Sequence, residues 1–140
     1  MSFLLDADVL SEPRRPAPER SVLAWLHAAD EDRLFLSVIT IAEIRLGVAL
    51  LAPGRKREAL TNWLRDDLPQ RFEGRLLPVH LAVSEREGEP MALAKTSGLG
   101  LQPLDALIAA TALARGLTLV TRNARDFGGP GGEVVNPWEG

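Results

Sequence analysis

Acidic and amide side chains recur where predicted strands end and predicted helices begin. They stand on separate segments of the chain, at Asp6, Glu43, Asp105, Asn123 and Asp126. Oxygen ligands without cysteine or histidine are those that hard cations such as Mg²⁺ or Mn²⁺ take from proteins. Such an ion can lower the pKa of a bound water and stabilise the charge that develops on a phosphodiester during in-line displacement. The residues therefore indicate carboxylate-based metal chemistry.

Asp6 directly follows the apolar run Phe3-Leu4-Leu5, which predicts a first strand buried in a sheet. A buried carboxylate without a partner costs several kcal/mol, so an arginine, a helix N-terminus or a metal ion must compensate for it. No local capping role is visible for Asp6 in the sequence. We therefore expect it to serve a function.

The other acids and amides also have structural interpretations, which the sequence leaves open. Thr40 and Glu43 have the spacing of a capping box. Asp105 suits an N-cap or the first turn of a helix, where it would complement the helix dipole. Asn123 and Asp126 are common turn residues.

The amino-acid composition argues against several kinds of catalytic and metal-binding site. The 140-residue chain has no cysteine and two histidines, which argues against disulfides, thiolate zinc sites and nucleophilic triads. The net charge of −3 lacks the strong positive charge of many nucleic-acid-binding proteins. Three short basic groups remain, which we interpret as solvated surface: Arg14-Arg15, Arg55-Lys56-Arg57, and Arg122 with Arg125.

Without a long apolar run or an export signal, a cytoplasmic protein with no membrane contact is expected.

Strand-like and helix-like segments alternate, which predicts a single α/β domain over residues 1–140 with a mainly parallel sheet. The segment FLLDADV is the predicted first strand and its exit, and the other predicted strands are RLFLSVIT, RLLPV, LTLVT and EVVNPW. The predicted helices are RSVLAWLHAAD, IAEIRLGVALL, PGRKREALTNWLRDDL, AVSEREGEPMALAKTSG with a break or kink at Gly88 and Pro90, and PLDALIAATALARG with a cap at Gly116. Ligands of such sheets bind beyond the carboxyl ends of the strands, where these acids are predicted to gather.

Four segments together resemble a known family: FLLDADVLSE, LFLSVITIAEIRLGVALL, LDALIAATALARGLTLVTRNARDF and the terminal NPW. The chain resembles the PIN-domain toxins of bacterial toxin–antitoxin pairs, of the VapC type, and is most similar to FitB and its relatives. The resemblance runs from residue 3 to residue 138. It implies a PIN-like α/β/α sandwich around a mainly parallel sheet of about five strands. It also implies a Mg²⁺- or Mn²⁺-dependent ribonuclease that a cognate small antitoxin holds inactive.

The resemblance also implies roles for individual residues. Asp6, Glu43, Asp105 and Asn123 occupy the family's catalytic positions, with Asp6 and Asp105 as direct metal ligands. Glu43 would bind the metal through water or orient the attacking water. Two departures affect the number of metal ions. Asp8 stands where relatives commonly have Asn and is expected to face solvent, and Asn123 brings no charge where many members have Asp.

The resemblance further implies an RNA substrate, a homodimer, and contact with operator DNA only through the antitoxin. An apolar patch is expected to receive an antitoxin helix, and its residues are Trp25, Leu46, Leu50 and Trp63. Two alternatives remain open. The domain can act mainly by binding, as part of a DNA-bound repressor complex with little nuclease activity. Alternatively, Asp6-Ala7-Asp8 is the Asp-x-Asp nucleophile motif of a haloacid-dehalogenase-like phosphatase.

Overall fold

Five short strands pair in parallel at the centre of the structure, a computed structural model that describes residues 1–98, 102–124 and 133–139. The strands are β1 (Phe3–Leu5), β2 (Leu34–Ser37), β3 (Leu76–Leu77), β4 (Thr118–Val120) and β5 (Val134–Val135). Their order across the sheet is β3-β2-β1-β4-β5, and every pairing is parallel. The predicted parallel sheet of about five strands is confirmed.

The strand order reverses direction between β1 and β4. The chain first adds β2 and β3 on one side of β1, then returns to add β4 and β5 on the other side. Open α/β sheets bind ligands at such a reversal, in the crevice beyond the carboxyl ends of the strands. Asp6 follows β1 and Thr121 follows β4, so both lie directly at this position.

Helices connect β1 to β2, β2 to β3 and β3 to β4, as parallel pairing requires. They are α1 (Ala7–Ser11), α2 (Arg20–Ala28), α3 (Val38–Ala49), α4 (Arg55–Asn62), α5 (Leu68–Arg71), α6 (Leu81–Ser97) and α7 (Pro103–Arg115). Short 3₁₀ turns span Glu12–Arg14 and Glu31–Arg33, and a π-helical turn at Trp63–Asp67 joins α4 to α5. Among the described residues, no helix is long and apolar enough to cross a membrane.

The sheet is covered on both faces, because neighbouring strand residues point to opposite sides. Leu5 belongs to a core on the side of α1 to α5, and Leu4 belongs to a second core against α7. The first core contains Val9, Val22, Ile44, Leu64, Leu68 and Phe72; the second contains Ala106, Ile108, Ala109 and Ala112. This arrangement is the α/β/α sandwich that the resemblance implied.

The structure contradicts the predicted end of the second strand and the predicted break in α6, and other predicted bounds also differ, since α1 begins within the segment FLLDADV. The second strand ends at Ser37 rather than Thr40, because the Ser37 hydroxyl accepts a hydrogen bond of 3.0 Å from the Ile39 N–H and caps α3 three residues early. The predicted break at Gly88 and Pro90 is absent, since α6 continues through both residues. A proline removes one helical hydrogen bond, and packing of α6 on α7 offsets that loss. The cap at Gly116 is confirmed, with φ +64°.

Candidate functional site

Asp6 is the structural centre of the acidic cluster. Its N–H donates to the Val120 carbonyl at 2.9 Å, which extends the pairing of β1 with β4 by one residue. The side chain is buried and accepts two hydrogen bonds, on Oδ1 from the Ala7 N–H at 2.8 Å and on Oδ2 from the Thr121 hydroxyl at 2.7 Å. Asp6 is the N-cap of α1, so the expectation that it has no capping role was wrong. Burial nevertheless raises its pKa above the ordinary value, against the opposing effect of both bonds.

Thr121 is a site residue that sequence reasoning missed. It follows β4 and is fully buried, and its hydroxyl both donates to Asp6 and accepts from the Asn123 N–H at 3.1 Å. The residue thus ties the ends of β1 and β4 together beside the acids. A hydroxyl directly after an apolar strand was the available signal, but its partner lies too far along the chain to be recognised from sequence.

Glu43 lies in the second turn of α3 and reaches toward the same place. Its Oε1 is buried and has no hydrogen-bond partner among the described residues. Burial and the negative charges of Asp6, Asp105 and Asp8, in that order, raise the pKa of Glu43 to about 7. The capping-box interpretation was wrong, because Thr40 is inside α3 and Ser37 caps the helix. Glu43 therefore lies among other acids, and no hydrogen bond from the described residues holds its buried Oε1 in place.

Asp105 joins the cluster from α7. It is the third residue of that helix, after Pro103, and Gln102 occupies the N-cap. The N-cap interpretation of Asp105 was therefore wrong, whereas a first-turn acid fits its position. Helices α3 and α7 contact each other, and the charge of Asp105 adds to the raised pKa of Glu43. Three separate elements thus bring Asp6, Glu43 and Asp105 within electrostatic reach.

The other predicted site residues are either exposed or lie outside the described residues. Asp8 is exposed, as expected, although its charge still raises the pKa of both Asp6 and Glu43. Asn123 is also exposed and enters the network through its main-chain bond to Thr121. Asp126 lies outside the described residues.

The donor set suits a cation that keeps much of its water. In residues 1–98, 102–124 and 133–139, no three acids or histidines are arranged as a ready-made metal cluster. Mg²⁺ typically binds through one or two carboxylates and retains several waters, so it does not need a closed protein cage. The unpaired Glu43 oxygen and the mutual repulsion of the acids fit such an ion, because it would offset the negative charge.

The predicted apolar patch is divided between surface and core. Leu46 on α3 and Leu50, the C-cap of α3, are 60 % and 77 % exposed. Trp25 instead packs edge-on against Phe3, with ring centroids 5.0 Å apart. Trp63 lines a groove of about 470 Å³ between α1, α3 and α4, and this groove reaches Asp8 and Glu43.

Comparisons with known proteins agree with this geometry. Residues 3–128 match the family model described as PIN domain. The chain is 40 % identical over 137 residues to "VapC ribonuclease Y4jK" of Sinorhizobium fredii, covering 98 % of each chain. It is 42 % identical over 136 residues to "Toxin FitB" of Neisseria gonorrhoeae, covering 97 % of this chain and 98 % of that one.

A solved structure described as FitAB bound to an IR36 DNA fragment superposes with a TM-score of 0.91. Its matched chain is 40 % identical, and the match covers 97 % of this chain and 95 % of that one. The family match, the high identity over nearly the full chain and the shared fold agree with one another. The chain therefore belongs to the PIN-domain family, among the toxins of the VapC and FitB type.

Proposed function

We propose that this protein is a Mg²⁺- or Mn²⁺-dependent endoribonuclease, the toxin of a toxin–antitoxin pair, that hydrolyses RNA phosphodiester bonds. The observation that carries the proposal is the state of Glu43. Its buried Oε1 lacks a partner among the described residues, while burial and three neighbouring acids raise its pKa to about 7. A fold stabilised only by its own packing gains nothing from such repulsion. A bound cation offsets it, and the relative named VapC ribonuclease supports the substrate class.

We assign the residues distinct roles. Asp6 and Asp105 would hold the cation, with Glu43 bonded through water, and the Asn123 carbonyl oxygen would be an uncharged supplementary ligand. The bound cation would activate a water molecule and neutralise the charge that develops on the phosphate. Thr121 is a positioning residue, since its hydroxyl fixes one oxygen of Asp6. Glu43, whose carboxylate lies beside both Asp6 and Asp105, would orient the attacking water.

We further propose that a cognate small antitoxin inhibits the enzyme and that operator DNA is contacted only through that antitoxin. The relative solved as FitAB bound to DNA supports this partnership. The net charge of −3 suits a subunit that does not itself grip DNA. We expect the toxin to form a homodimer, which would place two active sites in one particle.

Calorimetric titration of Mn²⁺ into antitoxin-free protein, followed by RNA cleavage on the same samples, tests the proposal. Asp6→Asn and Asp105→Asn should lose both Mn²⁺ binding and cleavage. Asp32→Asn is the matched control, because it removes one exposed carboxylate before β2, at the opposite end of the strands. Cleavage retained by a clean preparation of Asp6→Asn would overturn the proposal, and so would wild-type protein that neither binds Mn²⁺ nor cleaves RNA.

A growth assay separates this function from a purely binding role. Expression of the toxin without its antitoxin should arrest growth, and Asp6→Asn should relieve the arrest. If wild type and Asp6→Asn affect growth equally, the nuclease activity does not account for the toxicity.

A further inference from the structure

A continuous surface groove passes the acidic cluster. Three hollows of about 470, 240 and 390 Å³ adjoin along α1 and the 3₁₀ turn that follows it. The first and second share Asp8, Ser11 and Arg15 in their walls, and the second and third share Arg15 and Arg122. The groove begins at Trp63 and ends at Trp138, with Asp8 between them.

Each end of this groove holds an arginine stacked on a tryptophan. The guanidinium carbon of Arg14 lies 4.8 Å from the centroid of the Trp63 ring, and that of Arg122 lies 5.3 Å from the centroid of the Trp138 ring. We call these two contacts the Arg–Trp pairs. Both tryptophans are half-buried against the core, so their rings are held in place by packing while the arginines remain exposed.

Hydrogen bonds fix the second pair further. The Asn136 side-chain amide donates to the Arg122 carbonyl at 3.2 Å, and its Oδ1 accepts from the Trp138 N–H at 2.9 Å. One side chain thus connects the backbones that carry Arg122 and Trp138. The terminal segment is thereby attached to the loop after β4, beside the acids.

Both positive and negative side chains line the groove. Arg14, Arg15 and Arg122 supply exposed positive charge, and Lys56 adds to it in the first hollow. The acids Asp8 and Glu43 line the first hollow, Asp8 also lines the second, and Glu19 lines the third. Glu12 is buried and engaged, since its carboxylate accepts from the Glu19 N–H at 2.9 Å and pairs with Arg15 at 3.5 Å. Exposed arginines therefore line all three hollows, and a tryptophan lies at each end of the groove.

We infer that this groove seats single-stranded RNA on both sides of the bond to be cleaved, with the Arg–Trp pairs as its two contact points. The inference rests on the proposed nuclease function. Guanidinium groups bind phosphates through charge-assisted hydrogen bonds, and guanidinium planes and aromatic rings both stack unpaired bases. An arginine that already lies over a tryptophan ring can therefore contribute both to phosphate binding and to base stacking. Paired strands keep their bases stacked inside the helix, so unpaired RNA is the class that fits.

Binding of a fluorescein-labelled, mixed-sequence single-stranded RNA to the full chain, followed by anisotropy with Mg²⁺ present, tests this inference. The Glu43→Gln background should prevent turnover while keeping the shape of this groove-lining side chain. Arg14→Ala and Arg122→Ala should each weaken RNA binding by about three- to tenfold. The salt dependence of the binding constant should show about one fewer counterion released on binding. Arg33→Ala removes the same charge from an exposed site before β2 and should bind as its parent. Arg14→Lys should restore only part of the affinity, because lysine keeps the charge but not the planar stacking.

The outcomes separate this inference from the proposed function. If Asp6→Asn abolishes cleavage while both arginine variants bind RNA as tightly as Arg33→Ala, the groove inference is overturned and the nuclease stands. If the arginine variants lose affinity for the antitoxin alone, the groove belongs to the protein partner and the inference is likewise overturned. If the parent protein neither binds nor cleaves RNA, both ideas fail together.

Discussion

The Thr121 hydroxyl donates a 2.7 Å hydrogen bond to Oδ2 of Asp6, which lies 115 positions earlier in the chain. Both residues are buried, and they follow the adjacent strands β4 and β1. The bond therefore sets the orientation of the carboxylate at the reversal of the sheet. One Asp6 oxygen is committed to Thr121 and the other to the Ala7 N–H, which leaves the remaining lone pairs of the carboxylate to face the acidic cluster.

Removal of this hydroxyl should impair the site more than the fold. We expect Thr121→Val to lower cleavage about 10- to 100-fold, as loss of a group that orients a metal ligand typically does. The free energy of unfolding should fall by only about 1 to 3 kcal/mol, because a buried acceptor loses one donor. Steady-state cleavage and urea denaturation measure the two effects.

Two further variants distinguish positioning from general damage. Thr121→Ser should restore activity, since it retains the hydroxyl. Thr111→Val makes the same substitution at a buried helical threonine whose hydroxyl bonds the Leu107 carbonyl, and it should leave cleavage unchanged. Equal loss of activity in Thr111→Val and Thr121→Val would contradict a specific role for Thr121.

The stability of metal-free protein should fall as the pH rises from about 5 to 8. The Glu43 carboxyl has an ordinary pKa of 4.5 in the unfolded chain and a pKa of about 7 in the fold. Between those values the folded state binds more protons than the unfolded state, so each rise in pH favours unfolding. We expect a loss of about 1 to 2 kcal/mol, with allowance for solvent screening.

Urea denaturation in the presence of EDTA across this pH range measures the effect. Glu43→Gln should remove most of the slope, whereas Glu73→Gln, at an exposed position, should keep it. A slope of wild-type size in Glu43→Gln would show that other groups cause the pH dependence.

Divalent cation should reverse this destabilisation. Mn²⁺ that binds the folded state alone stabilises it by about 2.7 kcal/mol at a concentration 100 times its Kd. We expect the melting temperature to rise with Mn²⁺ most strongly near pH 8, where the acids are charged. Asp6→Asn should show little shift, and Asp32→Asn should behave as wild type. A similar rise in all three proteins would indicate nonspecific binding of Mn²⁺.

Gly116 should be needed for its backbone conformation. It ends α7 with φ +64°, and a Cβ added there would meet no atom within 4 Å. Gly116→Ala should therefore cost about 1 to 2 kcal/mol from backbone strain alone. Gly88→Ala, inside α6 and equally uncrowded, should instead stabilise the protein by about 0.5 to 1 kcal/mol. Thermal denaturation of the two variants in parallel tests the contrast, and shifts of the same sign would contradict it.

Much of the architecture is predictable because its signals are local. Apolar runs separated by helical stretches indicate a parallel sheet, and polar residues after those runs indicate where the acids gather. The position of Glu43 on α3 was harder to predict from the sequence. Both Ser37 and Thr40 suit an N-cap, and the tertiary structure selects Ser37. The continuous α6 was likewise decided by packing rather than by the preferences of Gly88 and Pro90.

The fine structure of the site depends on contacts between distant residues. The partners in the Thr121–Asp6 bond and in the Arg–Trp pairs lie far apart in the sequence, so no spacing rule connects them. Asp6 shows a different difficulty. Its capping of α1 and its place in the acidic cluster are compatible, and a sequence pattern does not indicate that one side chain performs both tasks.

The order of the strands also bears on how a cell synthesises this protein. The central strand β1 emerges from the ribosome early with Asp6, but its neighbour β4 and the Thr121 hydroxyl follow only after helix α7 has been made. Until then the carboxylate lacks its orienting bond and the acids of α3 and α7 cannot converge. The site therefore cannot assemble on a nascent chain before β4 and Thr121 have been synthesised.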